Sequence, residues 1–148
     1  MINSIKAYFE ELFQNNEQNN STKHTIELAS AALMIEISLA DDHIHERERG
    51  VINKILADDF EMEQDEIAEL INLAEKEVDH AVSLHEFTRL LNESLSRQEK
   101  ITIIENLWRV AYADSVLDKY EEYYIRKVAD LLYVSHSDYI QSKLKAAK

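Results

Sequence analysis

Apolar residues recur along the chain at the three-and-four spacing of helices, and no stretch shows the alternation expected of a half-buried strand. Ile2, Ile5, Phe9, Leu12 and Phe13 put one apolar stripe on an N-terminal helix, with Tyr8 beside it. Residues 14–22 (QNNEQNNST) carry no such pattern and predict a polar linker. The chain therefore divides into an N-terminal amphipathic helix with its linker, 1–20, and a helical domain, 21–148. The apolar face of the first helix either covers a groove or meets a partner. Ser21 or Thr22 is placed to cap a second helix that runs to about Ala40. Its apolar residues Ile26, Ala29, Leu33, Ile35, Ile37 and Leu39 cover nearly the whole circumference, the pattern of a helix buried at the centre of a bundle.

Val51, Ile52, Ile55 and Leu56 mark a third helix over 46–58, and Ile67, Leu70, Ile71 and Ala74 a fourth. Gly50 inside the third costs about 1 kcal/mol relative to Ala, which predicts a close helix crossing there. Ser83-Leu84-His85-Glu86 and Ser96-Arg97-Gln98-Glu99 have the form of capping boxes. The first precedes Phe87, Leu90 and Leu91; the second precedes Ile101, Ile104, Leu107, Trp108, Ala111 and Tyr112. Asp118 and Ser135 are placed to open the last two helices, which carry Ile125, Val128 and Leu132, then Tyr139, Ile140 and Leu144. The predicted fold is all-α: a single helical bundle of about seven core helices plus the N-terminal one.

Composition supports this. The chain has 148 residues, no proline, one glycine and no cysteine. Without glycine and proline, tight hairpins are hard to build, whereas helices joined by short polar turns are not. Without cysteine, disulfides, thiolate nucleophiles and cysteine-ligated metal are excluded. Twenty-nine acidic against 16 basic residues give a net charge of −13. That field repels phosphate backbones and attracts cations and basic partners, so nucleic acid is not an expected ligand. The N-terminus lacks the basic and apolar runs of a secretory signal, and Glu27 and Glu36 interrupt the most apolar segment, so no transmembrane segment is expected. The expected location is cytoplasmic.

One acidic frame occurs twice. Each residue of 36–56 pairs with the residue 73 positions later: Ala40 with Ala113, Asp41 with Asp114, Ile44 with Leu117, Glu48 with Glu121, Ile52 with Ile125 and Lys54 with Lys127. Each copy is a helix ending in Ala-Asp, a short turn, an apolar plug, and a Glu early in the next helix. If the copies pack about a pseudo-twofold axis, Asp41, Glu48, Asp114 and Glu121 converge. Gathered carboxylates repel one another, and a bound divalent cation relieves the repulsion. An all-oxygen set suits Ca²⁺, Mg²⁺ or Mn²⁺. The alternative is structural: acids in a first helical turn complement the macrodipole, and the aspartates hold turns. His43 and His45 would suit Zn²⁺ or Mn²⁺, but the second copy has Val116 and Asp118 in their places. No strained elbow, oxyanion turn or phosphate-cradling loop is available, so the protein is not expected to be an enzyme.

This frame resembles the TerB-like tellurite-resistance family, whose mark is a doubled Ala-Asp-Gly segment followed by Glu on paired helices. The copies here are Ala40-Asp41-Asp42-His43-Ile44 with Glu48, and Ala113-Asp114-Ser115-Val116-Leu117 with Glu121. The closing segment Val128-Ala129-Asp130-Leu131-Leu132-Tyr133-Val134-Ser135, then Asp138-Tyr139, fits as well. Asp42 and Ser115 stand where the family has glycine. The resemblance implies a helical bundle with an acidic cluster for divalent metal, a part in tellurite and other stress responses, and a membrane-associated protein partner. It implies no reaction. A metal-independent interaction adaptor, using the acidic surface or the N-terminal helix, is the other function compatible with the residues.

Overall fold

A computed structural model describes residues 5–15, 22–40, 53–54, 56–58, 61–76, 80–113 and 119–147, and all regular structure among them is α-helical. The helices are α1 (Ile5–Asn15), α2 (Thr22–Ala40), α3 (Gln64–Glu75), α4 (His80–Ser94), α5 (Arg97–Ala113), α6 (Lys119–Leu131) and α7 (His136–Ala146). Residues 53–54 and 56–58 are also helical and fall inside the predicted third helix.

Local chemistry sets several of the starts. The Ser96 N–H donates to Glu99 Oε1 at 2.7 Å and the Glu99 N–H to Ser96 Oγ at 3.2 Å, closing the predicted box at the head of α5. At the head of α7 the Asp138 N–H donates to Ser135 Oγ at 3.1 Å. The Ser83–Glu86 box does not open its helix. α4 begins three residues earlier, at His80, so Ser83 lies inside the first turn.

α2 occupies the centre. Every residue from Leu28 to Glu36 is buried, and the helix packs against α1, α3, α4, α5 and α6. Ala29, Ala31 and Ala32 let neighbours approach closely, while Leu28, Leu33, Met34 and Ile35 each contribute on the order of 1.5–3 kcal/mol of burial. α1 belongs to the same core. Ile5 and Phe9 are fully buried, and the Phe9 ring lies 4.7 Å from that of Phe87 on α4. Of the two uses predicted for its apolar face, the structure shows the first: α1 covers a groove formed by α2, α3 and α4. Residues 16–21 of the polar linker lie outside the described residues.

The duplication extends further than the acidic frame. α2 and α5 end at Ala40 and Ala113, and these two matching helices pack against each other. The next junction also repeats, with one residue more in the first copy. The Met62 N–H donates to the Leu56 carbonyl at 3.1 Å, and the Val134 N–H to the Ala129 carbonyl at 2.9 Å. Just before each donor sits a non-glycine residue of positive φ, Glu61 at 53° and Tyr133 at 59°. A left-handed residue after a helix turns the chain back while capping the last carbonyls. Each turn then leads into a helix whose third residue takes part in the cap: the Glu66 carboxylate accepts from the Glu63 N–H at the head of α3, and the Asp138 N–H donates to Ser135 Oγ at the head of α7. The repeating unit thus has three helices: α2, the helix around 53–58 and α3, matched by α5, α6 and α7.

Candidate metal centre

The acidic frame hangs on the ends of the two matching central helices. Asp41 directly follows the last residue of α2, and Asp114 the last residue of α5. A helix C-terminus carries about half a negative charge from its unsatisfied carbonyls. Neither α2 nor α5 has a basic residue in its last turn to offset it. Glu121 is the third residue of α6, at the positive end of that helix. Asp41, Glu48 and Asp114 lie outside the described residues, as do His43 and His45. Among the described residues, no three His, Asp or Glu side chains gather into a potential metal site.

The second copy has a distinct lining between its first and third helices. Trp108 is fully buried on α5, with Tyr112 stacked at 5.8 Å and Tyr139 of α7 at 5.6 Å. Lys143 Nζ lies 5.1 Å from the centre of the Trp108 ring and donates to Glu122 Oε1 at 3.1 Å. Trp108 takes the position of Ile35 in the first copy, and Tyr139 and Lys143 those of Ile67 and Ile71. An aliphatic interface has become an aromatic one with a cation over it. Burial, together with the nearby Glu122 carboxylate, raises the pKa of the Tyr139 phenol above its ordinary value. The aromatic cluster is therefore core, and Lys143 is a fixed cation beside the acidic start of α6.

Polar groups also cross the central contact. Asn106 Nδ2 donates to Ser30 Oγ at 3.1 Å, and Ser30 Oγ donates to the Ile26 carbonyl at 2.8 Å. Both side chains are buried. Asn106 also lines a cleft of about 510 Å³ between α2, α5 and the end of α7, where Lys145 Nζ sits 3.6 Å from Glu105 Oε1. Glu36 is buried within α2, whereas its counterpart Arg109 is exposed on the rim of that cleft. Sequence patterning did not single out Asn106 or Ser30. The available signal was a polar residue in one copy opposite an apolar one in the other, Asn106 against Leu33.

Among the described residues no helix is long and apolar enough to cross a membrane. No curated protein and no solved structure matches the chain. The family described as tellurite resistance protein TerB matches residues 27–144, from the first turns of α2 to the last turn of α7, and the chain belongs to that family.

Proposed function

We propose that this protein is a non-enzymatic helical module of a tellurite-type stress response that binds a divalent cation, Ca²⁺, Mg²⁺ or Mn²⁺, through Asp41, Glu48, Asp114 and Glu121. What supports this reading is the position of the aspartates in the sequence. Each comes directly after the last described residue of one of two matching helices, and neither helix has a basic residue in its last turn. Two carboxylates added there are mutually and dipolarly disfavoured unless a cation joins them. The module acts in the cytoplasm and passes its cation-bound state to a protein partner, membrane-associated as in the family resemblance.

Melting curves of wild type and Asp114→Asn, each in chelator and in millimolar cation, test it. A cation ligand of the native state raises the wild-type melting temperature. Asp114→Asn weakens that response and melts higher in chelator, because repulsion in the empty site falls. A helix-capping or turn-holding role gives the opposite result, an equal loss of about 0.5–2 kcal/mol in both conditions, and the cation reading is then abandoned.

The metal-independent adaptor has one observation in its favour. Tyr133, Ile140 and Leu144 are exposed large apolar side chains on α7 and the turn before it. Pull-down with an Ile140→Ser, Leu144→Ser variant separates the two readings, since partner loss with cation response intact favours the adaptor surface.

A further inference from the structure

The duplicated architecture creates an ambiguity that one hydrogen bond resolves. α2 and α5 pack against each other, and their last residues, Ala40 and Ala113, correspond under the repeat. Under the repeat, Ser30 corresponds to Ile103 and Asn106 to Leu33. Ile103 and Leu33 are both fully buried. The repeat therefore sets two buried apolar residues, Leu33 and Ile103, against a buried polar pair, Asn106 and Ser30, whose side chains lie 3.1 Å apart. Apolar contacts between helices are tolerant of sliding, because one turn of slip again places apolar groups against apolar groups. A buried amide is not tolerant, since sliding leaves it facing hydrocarbon without a partner.

We propose that the Ser30–Asn106 hydrogen bond holds the two copies in a single register. Asn106 is a positioning residue, and what it positions are α2 and α5, whose last described residues, Ala40 and Ala113, precede Asp41 and Asp114 in the sequence. The pair is not needed for stability. When Asn106 is removed, the Ser30 hydroxyl still donates to the Ile26 carbonyl, and no orphaned donor is left on α2. A single buried asparagine that fixes register at little gain in stability is a known device where helices could pair in more than one way. The neighbouring faces fix which sides of the two helices meet, but not their register along the axis. Thr25, Ala29, Ala32 and Glu36 on α2 are buried beneath other helices, whereas the matching stripe on α5, which includes Thr102, Glu105 and Arg109, borders the open cleft. A relative rotation of the helices would expose the first stripe or bury the second, whereas an axial slip of one turn would do neither.

The chain has no cysteine, so Asp65→Cys and Ser137→Cys introduce two unique labelling sites. They occupy matching, exposed positions in the first turns of α3 and α7. Pulsed electron–electron distance measurement between spin labels reads the relative placement of the copies. With Asn106 present, one narrow distance is expected. With Asn106→Leu, which restores the apolar residue of the first copy, a second population displaced by about one helical turn, roughly 5 Å, is expected. The melting transition stays cooperative. A single unchanged distance in Asn106→Leu overturns the proposal. Should that variant not fold, Ser30→Ala breaks the same bond with the loss of one atom, and the same two outcomes decide. The consequence for ligand rests on the cation reading above: Asn106→Leu lowers Mn²⁺ affinity tenfold or more if the acidic turns share one ion. A wild type that binds no cation overturns that reading alone and leaves the distance result to judge the register.

Discussion

Phe9→Ala tests whether α1 is a structural part of the bundle. The phenyl ring is completely buried and lies against Phe87, with Tyr8 edge-on at 5.2 Å. Truncating a buried Phe costs about 3–5 kcal/mol, the lost transfer energy plus the cavity left behind. The aromatic pairing adds up to about 1 kcal/mol. The loss has a ceiling, however. Once it exceeds the free energy with which α1 docks, the helix detaches and the rest of the domain melts alone. Deleting residues 1–20 measures that ceiling directly. The family match begins at residue 27, so the remaining helices are expected to keep a cooperative transition. For a domain of this size about 1 kcal/mol moves the melting temperature by 2–4 °C, so Phe9→Ala is expected to lower it by roughly 6–20 °C. Thermal and urea melts followed by circular dichroism read both variants, with exposed Glu10→Ala as the neutral control. A loss below about 1 kcal/mol in both Phe9→Ala and the deletion refutes the reasoning, because α1 would then contribute nothing despite its burial. A deletion that abolishes the transition refutes the separability of 1–20 instead.

Three further outcomes are expected. Trp108→Ala costs about 3–5 kcal/mol, and native fluorescence is blue-shifted from that of free indole; emission at the exposed wavelength contradicts its burial. Burial first, then Glu69 and Glu66, push the Tyr8 phenol up to about 12 from 10.0. The folded state then binds the proton more tightly than the unfolded chain. This stability is fully present below pH 10 and lost as pH rises toward 12, and Tyr8→Phe should flatten that alkaline decline in a pH series of urea melts. Tyr133 holds a φ of 59° while its side chain is 82% exposed, so Tyr133→Gly relieves backbone strain with little packing lost. It should raise stability by about 0.5–1 kcal/mol, and a destabilised variant would show that the ring makes a contact worth more than the strain.

The positions of the helices were legible in the sequence because helical burial has a period the chain displays openly. α2 was identifiable as central from apolar residues on every side, and Trp108 as core from its place beside Ile104 and Leu107. The Ser96 and Ser135 caps were legible because capping is local, satisfied within three residues. The Ser83 box shows the limit of that logic. The same four-residue pattern lies inside a helix that already includes His80. The acidic frame was visible as a 73-residue repeat, but its extension through α3 and α7 was not. One extra residue breaks the alignment, and what repeats beyond it is backbone geometry, left-handed at Glu61 and Tyr133, carried by residue types that do not match. The core role of α1 and the Ser30–Asn106 bond were likewise decided only in three dimensions. Periodicity shows that a face is apolar, not what covers it, and a polar residue in a helix acquires a meaning only when the structure supplies a partner 76 positions away.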